Sequence, residues 1–137
     1  MSLDLEDDKM CFVCGEQNKR GLHLEFAHPK PGFLSSHVTF GKHYQGYKNI
    51  VHGGLIGTVL DEMMVNLAWV EGKPAVTAEF KVSLKKPIKV GERIHLEGHL
   101  VREKGKVLYT RAEAKNEKGE VVASADGVCV RIRLKVH

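Results

Sequence analysis

The sequence predicts an α+β domain in which a curved antiparallel β-sheet wraps around one long central helix. Three observations predict it. The stretch Asn49–Asn66, NIVHGGLIGTVLDEMMVN, has no proline and hardly a charge. After Pro74 apolar and polar residues alternate with period two, the mark of half-buried strands. The connections between those strands are short, which makes neighbours antiparallel. A helix apolar on nearly every side has to be buried. A single sheet face covers only part of it, so the sheet must curl round it and another element or another chain must cover the rest, a dimer being the commonest closed assembly.

Taken in order, residues 1–10 are acidic (Asp4, Glu6, Asp7, Asp8) and read as a flexible leader to a single domain over residues 11–137. Cys11-Phe-Val-Cys14-Gly15 and a polar turn up to Gly21 follow. Leu22, Leu24 and Phe26 alternate with Gly21, His23 and Glu25, which predicts a strand over Gly21–Phe26. Pro29-Lys-Pro31-Gly32 is its turn and Phe33–Phe40 the returning strand. Gly41–Lys48 is a loop feeding the helix, which starts at the glycines after His52 and stops at Glu71-Gly72-Lys73-Pro74. In the strand after Pro74, Val76, Ala78, Phe80, Val82 and Leu84 face one way. Thr77, Glu79, Lys81 and Ser83 face the other, with Glu79 and Lys81 as a charge pair. Arg93–Glu103, Lys106–Lys115 and Val121–Arg133 are three more strands, turned at Lys104-Gly105 and Asn116–Glu120.

Composition narrows the function classes. The chain has 137 residues, 42% of them hydrophobic and 28% charged, which argues for a folded domain rather than disorder. No apolar run reaches the roughly 20 residues of a membrane helix, since Asp61 and Glu62 interrupt the best candidate. The acidic start is the opposite of a signal peptide, so a cytoplasmic location and no membrane partner are expected. Net charge is +4, with basic and acidic residues interleaved; this suits a phosphate-bearing small molecule. Aromatics at 7% give little support for base stacking, and no nucleic-acid partner is expected.

The helix start carries the candidate chemistry. His52-Gly53-Gly54 leaves backbone N–H groups uncovered and open to close approach. Thr58, Glu62 and Asn66 form one polar stripe at i, i+4, i+8, on which Glu62 faces solvent or a partner. Asp61 lies about 100° off that stripe among apolar neighbours, where an aspartate is rare without a partner or a task. His52 either orients the loop or touches the substrate. Cys11 and Cys14, with His23 and His28, give C-x2-C-x8-H-x4-H, a gap too short for the usual zinc finger. The cysteines are expected to pack as small apolar groups with no metal, and Cys129 to be a core or interface residue.

These residues resemble the hotdog-fold acyl-CoA thioesterases, especially the phenylacetate-pathway-like and 4-hydroxybenzoyl-CoA-thioesterase-like groups. The match covers about residues 11–133. It rests on Cys11-Phe-Val-Cys14-Gly, Asn18 and Gly21-Leu-His-Leu24, then Val51-His-Gly-Gly54 with Leu60-Asp61-Glu62, then Thr77-Ala-Glu79-Phe-Lys-Val with Lys86-Pro87 and Gly91. The resemblance implies a hotdog fold, hydrolysis of an acyl-CoA thioester to free acid and CoA, no cofactor, and a homodimer or a dimer of dimers. It implies a site shared by two chains. By the resemblance, the Gly53 amide polarises the thioester carbonyl, Asp61 of the facing subunit acts as general base on water or as nucleophile, and Thr77 positions the attacking water. The loop Asn or Gln of close relatives falls on Gly46 here; Gln45 is the nearest amide and Asn49 a weaker substitute. Asn49, Gly54 and Glu62 are the further substrate contacts, and Lys85, Lys86, Arg102, Arg131 and Arg133 the candidates for the CoA phosphates. Two rivals stand beside hydrolysis. One is a non-catalytic acyl-CoA-binding protein. The other is a dehydratase, whose usual histidine setting this sequence lacks.

Overall fold

The computed structural model describes residues 2–134. Its elements are β1 (Ser2–Leu3), β2 (Ala27–Lys30), β3 (Phe33–Thr39), a 3-10 turn (Lys42–Tyr44), α1 (Gly53–Val70), β4 (Ala75–Leu84), β5 (Arg93–Lys104), β6 (Val107–Lys115), β7 (Val121–Arg131) and β8 (Arg133–Leu134). Six strands form an antiparallel sheet in the order β2-β3-β5-β6-β7-β4, and α1 packs against β3 to β7. The predicted α+β architecture, one helix held by one curved antiparallel sheet, is the observed one.

The helix sits close because the sheet beneath it is built from small residues. Ala112, Ala114, Ala123 and Ala125 are buried under Val59, Leu60, Met63, Met64 and Leu67 of α1. At Gly98 a Cβ atom would lie 2.6 Å from the Met63 carbonyl oxygen, a backbone atom that cannot swing aside. Gly98→Ala is therefore expected to destabilise the protein by about 1–3 kcal/mol, the usual cost of overpacking, read as a lower urea midpoint at unchanged slope. An unchanged midpoint would mean that the helix does not rest on this strand.

The helix ends as the sequence dictates. Gly72 takes φ +76°, and the Gly72 and Lys73 amides donate to the Trp69 and Ala68 carbonyls at 3.1 and 2.9 Å. The β5–β6 and β6–β7 turns fall at Gly105 and Gly119, both at positive φ.

Three local readings change. The strand expected over Gly21–Phe26 forms instead at Ala27–Lys30. The alternation of burial was real, with Leu24 buried between exposed His23 and Glu25. However, the Leu22 and Leu24 amides donate to the Phe12 and Val13 carbonyls at 2.9 and 2.8 Å. Their hydrogen bonds thus go to the cysteine segment and not to the sheet. Pro29 falls inside β2 rather than in the turn, which an edge strand tolerates. The last strand is divided: the Ile132 amide turns to the Pro74 carbonyl at 2.9 Å, and β8 pairs in parallel with β1. Residues 4–10 have no regular structure.

A further change concerns β4. Its register against β7 slips between Thr77 and Glu79, so Thr77 stands opposite Cys129 and Glu79 opposite Val128. Ala78 is the extra residue of a β-bulge. Strict alternation put Thr77 on the face away from Phe80, Val82 and Leu84. The bulge returns it to the helix side, where Phe80 and Val82 approach Gly57 and Leu84 approaches Gly53.

Candidate active site

The loop before α1 is fixed by its own backbone. The His52 amide donates to the Tyr44 carbonyl at 2.9 Å and the Val51 amide to the Ile88 carbonyl at 2.8 Å. Asn49, at φ +61°, donates its amide to Gln45 Oε1 at 3.0 Å and accepts from the Val90 amide at 3.0 Å. Gln45 and Asn49 therefore shape this turn together.

His52 is the N-cap of α1, and its Nδ1 accepts the Gly54 amide at 3.0 Å. Because a backbone N–H can only donate, Nδ1 is the acceptor nitrogen, and a neutral ring carries its proton on Nε2. The cap consumes the Gly54 amide. The Gly53 amide, one residue earlier, has no acceptor among the described residues. It sits at the positive end of an 18-residue helix, where developing negative charge is favoured.

Beside this amide is a cavity of about 580 Å³ whose lining includes Tyr47, His52, Gly53, Leu84, Lys85 and Lys86. The structure thus brings the helix start and two of the predicted phosphate-binding lysines together. Lys86 forms an ion pair with Glu120. Lys85 makes none among the described residues, which leaves its ammonium available to an anion. Tyr47 and Leu84 were not singled out from sequence. Leu84 carried a signal, since it closes the strand that Lys85 follows. Tyr47 carried none.

The second half of the site is on the next turns of α1. Thr77 Oγ1 donates to Asp61 Oδ1 at 2.6 Å, the length of a charge-assisted bond. Asp61 Oδ2 has no hydrogen-bond partner among the described residues. Asp61 and Thr77 are each partly exposed on β4's side of the helix, and β4 is the last strand of the sheet. Cys129 is fully buried behind them. Burial pushes its thiol above the ordinary range, and the Asp61 carboxylate adds to that against opposing bonds to Thr110 and Thr77. Such a thiol is inert.

Other predicted residues sit apart. Glu62 turns toward the cysteines: its Oε1 accepts from Asn66 Nδ2 at 3.3 Å and lies 3.9 Å from Cys11 Sγ. Arg131 lines a different cavity with Ser2 and Lys106, and pairs with Glu103 at 3.6 Å. The two histidines do not join the cysteines. His23 bonds to the Asn18 carbonyl, and His28 Nε2 pairs with Glu71 at 2.9 Å.

Asp61 and Gly53 are eight residues apart on one helix, hence about 12 Å along its axis at 1.5 Å per residue. A single carbonyl cannot touch both within one chain. The two groups lie at opposite ends of the same edge: an open amide near Leu84, and a carboxylate–hydroxyl pair near Ala75.

The family model described as thioesterase superfamily matches residues 48–123, a stretch that includes Gly53, Asp61 and Thr77. No curated protein matches the chain. A crystal structure of a thioesterase superfamily protein superposes with a TM-score of 0.84 at 25% identity, over 89% of this chain and 60% of that one. This chain thus spans somewhat under two thirds of that relative's length. A Streptococcus pneumoniae protein solved with coenzyme A, described as a hypothetical thioesterase, gives 0.76 at 17% identity, covering 82% of this chain and 88% of its own. The same protein has been solved with an aspartate replaced by alanine and, sixteen positions further on, with a threonine replaced by alanine. The E. coli PaaI protein of the phenylacetic acid degradation operon gives 0.75 at 17% identity, over 80% and 84% of the two chains. By its family match and its hotdog architecture, the chain belongs to the thioesterase superfamily.

Proposed function

We propose that the chain hydrolyses an acyl-CoA thioester in a site completed by two copies of itself. The observation that carries the reading is the Asp61–Thr77 hydrogen bond at the open edge of the sheet. The two residues are sixteen positions apart, the same separation as the aspartate and threonine replaced in the pneumococcal relative.

A second copy supplies the missing half. β4 is a ten-residue edge strand with Phe80 and Leu84 exposed at 42% and 55%, a long apolar edge of the kind that pairs with another chain. Antiparallel pairing of two β4 edges about a two-fold axis sets the Ala75 end of one against the Leu84 end of the other. Asp61 and Thr77 of one subunit then face Gly53, His52 and Lys85 of the other.

In this site Asp61 Oδ2 takes a proton from water while the water oxygen bonds to the thioester carbon. The negative charge that develops on the carbonyl oxygen is met by the Gly53 amide of the facing helix start. When the tetrahedral intermediate collapses, the C–S bond breaks, the carboxylic acid forms, and the proton held by Asp61 passes to the CoA sulfur. Thr77 holds the carboxylate in place, and its oxygen remains free to accept from the water. The Lys85 and Lys86 ammonium groups at the cavity suit the CoA phosphates. No step calls for a metal or cofactor.

A thiol-release assay over a panel of aliphatic and aromatic acyl-CoA thioesters tests the reading. The expected result is stoichiometric thiol release with at least one member, with KM rising as salt screens the lysines. Tight acyl-CoA binding without thiol release would favour a binding module over an enzyme.

A further inference from the structure

Two clusters of metal-ligating side chains lie outside this chemistry among the described residues. Glu97, His99 and Glu113 form one on the sheet. Its carboxylates already have partners: Lys115 and His95 reach Glu97 at 3.0 and 3.1 Å, and Arg111 reaches Glu113 at 3.5 Å. The other, Cys11, Cys14 and Glu62, has no such neutralisation. Glu62 is half-buried, forms no ion pair among the described residues, and has the Asn66 amide and the Cys11 thiol as partners.

We propose that Cys11, Cys14 and Glu62 bind a zinc ion, with water as the fourth ligand, and that the ion fastens the N-terminal cysteine turn to the helix beside Asp61. Each residue offers a ligand atom, and these atoms lie within 4.8 Å of one another. Cys11 Sγ and Glu62 Oε1 are 3.9 Å apart. A tetrahedral zinc with bonds of about 2.3 Å to sulfur and 2.0–2.2 Å to oxygen separates sulfur from sulfur by roughly 3.8 Å and sulfur from oxygen by roughly 3.5 Å. Closing the site shortens any pair of ligand atoms by no more than about 1.3 Å on that geometry.

The turn is already shaped to present both sulfurs. The Cys14 amide points at Cys11 Sγ at 3.5 Å, a contact that strengthens when the sulfur is a thiolate. The Gly15 amide closes the turn on the Cys11 carbonyl at 2.8 Å. A Cβ at Gly15 would lie 2.4 Å from the Cys11 nitrogen and 2.6 Å from its carbonyl oxygen, so the turn requires glycine. Two thiolates select a soft or borderline cation over calcium or magnesium, and a carboxylate is compatible with zinc. On binding, the two thiol protons leave to solvent. The spacing to His23 and His28 argues against a metal, and the sequence alone predicts none; the fold supplies Glu62 instead, from a helix turn 48 residues beyond Cys14.

The test uses reduced, metal-free, untagged full-length protein titrated with cobalt(II). The expected result is one ion per chain, a thiolate-to-cobalt charge-transfer band, the visible bands of a tetrahedral ion, and their loss when zinc is added. Cys14→Ser abolishes the charge-transfer band or shrinks it to that of a single thiolate. Glu62→Gln keeps both thiols, so it tests the third ligand without disturbing the turn. It weakens zinc binding by at least the 10–100-fold that loss of even an outer-shell partner typically costs. Absence of a thiolate band in the wild-type protein overturns the proposal, as does a Glu62→Gln protein that binds zinc as tightly as wild type. Neither readout depends on thioester hydrolysis, so this inference and the proposed activity fail separately.

Discussion

Asp61→Asn leaves a folded protein whose kcat for thioester hydrolysis falls at least roughly a hundredfold, the low end of what loss of acid–base help costs. Folding survives because the Asn amide oxygen still accepts from Thr77 Oγ1, the bond that Asp61 Oδ1 accepts at 2.6 Å. What disappears is the second oxygen, the one with no partner among the described residues, which becomes an NH2 group and can no longer take a proton from water. KM moves little, since the carbonyl donor and the lysines belong to the other half-site. Thr77→Ala falls between wild type and Asp61→Asn, because water can replace a positioning hydroxyl in part. Glu62→Gln leaves kcat near wild type, its carboxylate being turned to the cysteines. Steady-state kinetics on a thioester found in the panel checks all three. Asp61→Asn turning over at the wild-type rate would remove Asp61 from the chemistry.

Gly53→Pro is expected to lower kcat by about 10²–10³-fold, the cost of losing one donor to a developing oxyanion. Proline deletes the N–H and little else here. Gly53 is the first helical residue, where proline is well accepted. His52 before it is extended at φ −61°, ψ 128°, as a residue preceding proline prefers. A Cβ at this position would meet Leu84 Cδ1 at 2.7 Å, but that atom is the tip of an exposed side chain and can move. Gly53→Ala is the control: it adds the same Cβ and keeps the amide. Substitutions at 53 that slow the enzyme equally would assign the loss to Leu84 and not to the N–H.

The sequence showed some parts of this site and hid others for definite physical reasons. The helix was legible because its apolar run is long and its stop signal, Gly72 before Pro74, is chemically unambiguous. β5 and β6 were legible because their burial alternates. Thr77 was not: alternation placed it on the wrong face, since a bulge at Ala78 leaves no trace in a period-two pattern, and only the family resemblance pointed to it. The strand misplaced at Gly21–Phe26 shows the complementary limit. Alternating burial reports which side chains are covered, whereas a strand also needs a sheet partner, and these amides went to Phe12 and Val13. The contact between Glu62 and the cysteines joins positions 51 residues apart, and no local pattern encodes it.

The two-chain site itself is tested most directly by mixing the two crippled variants. Asp61→Asn and Gly53→Pro chains carrying different affinity tags are co-expressed, and the dimers bearing both tags are isolated. Each such dimer pairs an intact Asp61 from one chain with an intact Gly53 from the other, in one of its two sites. The account predicts recovery to about half the wild-type activity per dimer, as two-fold symmetry requires. Mixed dimers as inactive as their parents would show that Asp61 and Gly53 must act within a single chain, and would contradict the account.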